Sequence, residues 1–187
     1  RQMFETAGQL KIPLMAGSSC PLAQRRPAIE LPRAARITEA VSIHGGPLEA
    51  YGFHALEVLQ SFVEARAGGE TGVVSVEYLR GRQLWNAARQ GRWSLKLAEA
   101  AMQADLGKVP RSIQQVPGES RVTSDGLLIK YADGLKATML NIGKNDTRWN
   151  FACRLKGERR PLSTALNVGP WNNRNLFKAL VHSIQNH

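Results

Sequence analysis

The chain predicts an α+β fold: an open, mixed and largely antiparallel sheet with helices on one face, preceded by a remnant of a Rossmann-type α/β domain. Three observations predict it. Asp133-Gly134 separates two alternating apolar runs, Leu127–Tyr131 and Leu135–Ile142, which is the pattern of a β-hairpin on a two-residue turn. Residues Ala50–Ala67 carry apolar side chains at helical spacing. At the front, a helical stretch (Gln2–Gln9), a short apolar run (Ile12–Ala16) and a polar stop (Gly17-Ser18-Ser19) follow the helix–strand–loop rhythm of a parallel α/β unit. One such unit makes no sheet by itself. The expected organisation is therefore a remnant over 1–20 and a sheet domain over 21–187.

Each element follows from local chemistry. Cys20–Ala35 holds Pro21, Pro27 and Pro32, each of which lacks an N–H and fixes φ, so an extended linker is expected. Ile37–Ile43 resumes a β pattern and stops at Gly45-Gly46-Pro47. In the central helix, Ala55, Leu56, Leu59, Phe62 and Val63 project onto one apolar arc. His54 falls on the other side, near Glu57, Val58, Ser61 and Glu64. Gly68-Gly69 ends that helix, and Val73–Leu79 alternates as a half-buried strand. Arg82–Gln90 is a short helix stopped by Gly91. Ser94 caps a second one, with Leu95, Ala98 and Met102 at helical spacing before Gly107 and Pro110. Trp85 and Trp93 flank the break between the two helices. They read as core anchors or, alternatively, as a stacking platform for a sugar or base. Lys108–Glu119 reads as loop, and Asn150–Leu155 as a further strand turning at Lys156-Gly157. After Gly169-Pro170, Leu176, Leu180 and Ile184 form a helical stripe still running at His187, and residue 1 is Arg with no leader behind it. Both ends therefore read as trimmed.

Composition bounds the function. With 187 residues, 43% hydrophobic and no apolar run near the ~20 residues of a membrane span, the chain reads as one soluble domain with a real core. Two distant cysteines and four histidines fit no zinc or redox spacing, and a reducing, cytoplasmic compartment is the default. The net charge of +10 invites a nucleic-acid reading. The basic residues are scattered doublets, however (Arg25-Arg26, Arg80 with Arg82, Arg159-Arg160), and no nucleic-acid-binding motif accompanies them. A solvated face or an anion-binding cleft fits better.

Three features resemble the second half of a Gfo/Idh/MocA-type oxidoreductase, the group of glucose–fructose oxidoreductase and inositol dehydrogenase. Ile12-Pro13-Leu14-Met15-Ala16-Gly17 resembles the last strand of that family's dinucleotide-binding domain. Tyr51-Gly52-Phe53-His54-Ala55-Leu56-Glu57 resembles its helix motif, in which an Asp stands four residues before a His. The later β segments fit its large sheet. The resemblance implies NAD or NADP as cofactor and a small-molecule hydroxyl substrate such as a sugar or polyol. It implies His54 as the catalytic acid–base residue, Tyr51 and Arg26 as substrate-binding candidates, and a homo-oligomer formed through the sheet. This chain departs from the pattern in two ways. The Asp position is Ala50, with Glu49 turned about 100° away around the helix. The G-x-G-x-x-G fingerprint and the first-domain Lys are absent, so the chain by itself is not expected to bind NAD(P).

Three readings follow. The first is the substrate and oligomerisation portion of such an oxidoreductase. The second is a non-catalytic sheet domain for ligand binding or oligomerisation. The third, and weakest, is a basic nucleic-acid-binding module. His54 itself reads either as a cleft-lining functional residue or as a polar histidine on a wetted helix face.

Overall fold

The structure is a computed structural model and describes residues 2–12, 14, 16–107, 113, 124–143, 149–167 and 180–186. In chain order the elements are α1 (Gln2–Gln9), a 3-10 turn (Cys20–Leu22), β1 (Arg25–Arg26), β2 (Ile37–Gly45), α2 (Leu48–Val63), β3 (Val73–Arg80), α3 (Arg82–Arg89), α4 (Leu95–Leu106), β4 (Asp125–Tyr131), β5 (Lys136–Gly143), β6 (Trp149–Leu155) and β7 (Leu162–Leu166). The strands form one seven-stranded open sheet in the order β1-β7-β6-β2-β5-β4-β3. Among the described residues only β2 and β5 run parallel, and every other neighbouring pair is antiparallel. The α+β class and the mixed, largely antiparallel sheet are thus as expected.

The helices are not confined to one face. Ala40, Ala137, Met139, Phe151 and Cys153 look toward α2 and share a core with Ala55, Val58, Leu59, Phe62 and Val63. Val41, Ile43, Leu140, Ile142 and Ala152 look the other way, into a second core with Leu84, Ala87, Trp93, Leu97, Ala98 and Met102 of the α3–α4 region. The reason lies in the central strands, whose side chains are buried on both sides, as in the run Trp149–Cys153. A strand apolar on both faces needs cover on both. Trp93 is a core anchor: it is fully buried and its indole N–H donates to the Leu84 carbonyl at 2.9 Å.

Local signals hold with adjustments. Ser94 caps α4 by accepting from the Leu97 amide at 3.2 Å, and Gly107 closes it with φ of +68°. The β4–β5 hairpin forms with Leu127 facing Met139 and Ile129 facing Ala137, but its turn is a longer type than expected. Only Gly134 has positive φ; Asp133 does not. The Tyr131 carbonyl accepts from Gly134 N–H, and Tyr131 N–H donates to the Leu135 carbonyl, each at 3.0 Å. This is the three-residue loop with glycine in the left-handed position. α2 ends at Val63 rather than Ala67, and Val58, expected on the polar side, is buried. Its buried arc is widened because the front segment packs on it as well as the sheet.

The front segment departs most from expectation. α1 forms, but Ile12, Leu14 and Ala16 belong to no strand; Pro13 and Met15 lie outside the described residues. The sheet's free edges are β1 and β3, and neither has taken up this segment as a partner. The short strands β1 and β7 were not foreseen. Of the C-terminal helix, residues 180–185 are helical, whereas Leu176 lies outside the described residues, as does most of the loop at Lys108–Glu119.

Candidate functional site

α2 starts where β2 ends, so its first turns lie at the carboxyl end of β2 and β5. The turn into it is tight. A Cβ at Gly46, where φ is +87°, would lie 2.6 Å from Tyr51 Cδ2, so only glycine fits there. Pro47 then opens the helix, its carbonyl accepting from the Ala50 and Tyr51 amides at 3.1 and 2.9 Å. The Tyr51 ring meets Trp149 edge-on, with centroids 6.3 Å apart. Tyr51 therefore locks the start of the helix to β6.

One turn further on, half-buried His54 meets the front segment. Its Nδ1 lies 2.7 Å from Ser18 Oγ, and that oxygen also accepts from the Cys20 amide at 3.0 Å. The Ser18 hydroxyl has a hydrogen to give and a second lone pair to offer, so it serves either tautomer of the imidazole. Glu57 Oε2 accepts from the Ser18 amide at 3.3 Å. The same carboxylate occupies the space a side chain at Gly17 would need, 2.7 Å from the Cβ position. Phe53, mostly exposed, leans edge-on against the His54 ring at 5.6 Å. The result is a histidine with a hydroxyl on one nitrogen and a carboxylate one helical turn away. It can accept or deliver a proton. It is not a nucleophilic triad, because Glu57 holds the Ser18 backbone and not the imidazole. Burial pushes the neighbouring Cys20 thiol up, against the opposing effect of its hydrogen bond to Ser18, which makes it a poor nucleophile.

The other expected site residues separate from this cluster. Arg26 lies on β1 and its guanidinium donates to Gln24 Oε1 at 3.0 Å. Neighbouring strand residues point to opposite faces, and it is Arg25 that turns toward α2, its guanidinium 4.2 Å above the Phe62 ring. Arg26 therefore faces away from the helix that carries His54. Ala50, one turn before His54, is exposed and offers no carboxylate.

A second group escaped the sequence reading. His44, Asn141 and Asp125 stand opposite one another on β2, β5 and β4, forming a polar row on the α2 side of the sheet. All three are buried, as is Ser42, two residues before His44. Asn141 donates to Asp125 at 3.3 Å, His44 Nδ1 is 3.3 Å from the Gly45 carbonyl, and the His44 ring lies 6.0 Å from Trp149. Ser42 Oγ, His44 Nε2 and Asp125 Oδ1 have no hydrogen-bond partner among the described residues. Burial lowers the His44 pKa to about 4 and raises that of Asp125, with the Asn141 bond acting the other way on the latter. His44 was visible as a histidine closing a β run, but the row depends on strand register, which joins residues up to 97 positions apart.

Two hollows lie elsewhere. One, of about 540 Å³, is bordered by Arg36, Thr38, Arg66, Asp133 and Lys156; the other, of about 230 Å³, by Glu77, Arg92, Lys130 and Lys136. In the first, the donors of Arg66 already serve Asp133, Thr71 and the Val63 carbonyl. Among the described residues no group of three His, Cys, Asp or Glu side chains could hold a metal ion, and no helix is long and apolar enough to cross a membrane. Comparison with protein-family models, with curated proteins and with solved structures finds no match to this chain in any of the three.

Proposed function

We propose that the chain is the substrate-side portion of an NAD(P)-dependent oxidoreductase acting on a sugar, polyol or similar hydroxyl compound in the cytoplasm, with His54 as its acid–base residue. The observation that carries this reading is the Ser18–His54 hydrogen bond of 2.7 Å. It ties the loop after the front segment to the side chain that the resemblance gives as the acid–base residue. In this reading His54 would take the proton of the substrate hydroxyl, and a nicotinamide held by the nucleotide-binding unit would supply the hydride acceptor. The front segment supports a nucleotide-holding unit packed against it: Met3, Phe4, Leu10 and Ile12 are 78%, 73%, 63% and 55% exposed, an apolar surface that calls for cover.

The alternative is a sheet domain of the same fold without the chemistry, favoured by exposed Ala50 in place of a carboxylate. A longer polypeptide carrying the upstream reading frame separates the two. The oxidoreductase reading expects a G-x-G-x-x-G fingerprint there, saturable quenching of NADH or NADPH fluorescence, and polyol turnover that falls by about 10²-fold or more in His54→Asn. Absence of the fingerprint and of nucleotide binding overturns it.

A further inference from the structure

The two edges of the sheet are built differently. β1 is two residues long, carries Arg25 and Arg26, and runs into Pro27, all features that blunt an edge. β3 is eight residues long and contains no proline or lysine. Val76 faces Ile129 and Tyr78 faces Leu127 across the ladder, so their side chains lie on the α2 side of the sheet. α2 packs chiefly over β2 and β5. Val74, Val76 and Tyr78 are accordingly 63%, 57% and 45% exposed. The ladder slips only near Val74, between Val73 and Ser75.

We propose that β3 is a self-association edge that pairs antiparallel with β3 of a second copy, centred on Val76 facing Val76. Sequence symmetry selects both the occupant and the register. Antiparallel partners share a face, so this centre sets Val74 opposite Tyr78 and joins the apolar strips of the two copies. It sets Ser75 opposite Glu77, and no like charges meet. Shifting the centre to Glu77 would place two carboxylates face to face, and shifting it to Tyr78 would put Val76 against Arg80. The ends are complementary too. Exposed Glu70 precedes the strand, Arg80 ends it and Arg82 follows, so antiparallel pairing brings the acidic end of one copy to the basic end of the other. Glu77 is held by Arg92 on the opposite face of the sheet and does not obstruct the apolar strip. The edge is independent of the chemistry at His54.

The test is sedimentation of the full chain over a dilution series. The wild type is expected as a dimer, and Val76→Lys as the 20.6 kDa monomer with unchanged circular dichroism. Register is read by mild oxidation, since the native Cys20 and Cys153 are buried. Val76→Cys is expected to give a covalent dimer and Ser75→Cys none. Glu70→Arg is expected to weaken the dimer, and Glu70→Arg with Arg82→Glu to restore it. A wild type that stays monomeric throughout, a Val76→Lys protein that remains dimeric, or equal cross-linking of both cysteine variants overturns the proposal.

Discussion

At the scale of single residues, His44 makes stability depend on pH. Its folded pKa of about 4 lies below its ordinary 6.5, so between those values the unfolded chain binds more protons. The contribution is complete above pH 6.5 and is lost as pH falls toward 4, amounting to roughly 3 kcal/mol. Asp125, whose pKa is raised by burial, acts with the opposite sign above pH 3.8 and offsets part of this. Urea titrations at pH 7 and pH 4.5 should show a smaller difference for His44→Gln than for the wild type; equal differences would remove His44 as the source. Arg66 is the second such residue. Its side chain is 1% exposed, donates to Asp133 at 2.8 Å and to Thr71 at 2.7 Å, and lies over the Tyr131 ring. Arg66→Met should cost about 2–4 kcal/mol in chemical denaturation. Arg66→Lys should not rescue it, because an ammonium cannot reach three acceptors in a planar fork. Asp133→Asn keeps an acceptor for Arg66 but removes the charge facing a buried guanidinium, and should cost about 1–3 kcal/mol.

At the scale of elements, two glycines predict opposite outcomes. A Cβ at Gly126 in β4 would lie 2.8 Å from the Met139 carbonyl oxygen, with Leu84 and Leu140 side chains at 3.1 and 3.2 Å. The obstructing atom is backbone, so Gly126→Ala should destabilise by about 1–3 kcal/mol. Gly8 in α1 has nothing within 4 Å, and Gly8→Ala should stabilise that helix by about 0.5–1 kcal/mol. Thermal melts of the two variants should move in opposite directions. α2 is held to the sheet by the Phe62–Phe151 pair, stacked at 4.0 Å and 9°; truncating Phe62 to Ala should cost about 3–5 kcal/mol. By comparison, the Ser18–His54 contact is one half-buried hydrogen bond, so Ser18→Ala should cost only about 1 kcal/mol. It should still raise proteolysis of the 10–20 segment, since that bond fixes the loop to α2. Unchanged cleavage would show that Glu57 holds the loop alone.

At the scale of the molecule, the sheet is a divider between two cores. α2 closes one and the α3–α4 region the other, and this arrangement decides which surfaces are left open. Among the described residues no element covers the α2 side beyond β4, and the β3 strip is exposed. The carboxyl end of the parallel pair collects the start of α2, the front loop and the His44 row. The candidate acid–base residue and the open edge are thus consequences of one layout, although they lie at different places on it.

The chain by itself determined its local grammar. Ser94 and Gly107 bounded a helix because a hydroxyl caps free amides and a glycine accepts positive φ. Asp133-Gly134 made a hairpin because alternating apolar runs on either side had one face to bury. Helical spacing placed His54 off the apolar arc of its own helix, but only the resemblance marked it as a candidate acid–base residue. Tertiary structure alone decided what met what. That Ser18 would hold His54, that Arg25 and not Arg26 would turn toward α2, and that Asp125, Asn141 and His44 would share a row all follow from strand register and layer order. Those are set by the packing of both sheet faces at once, a property of the whole core that no local window of sequence contains.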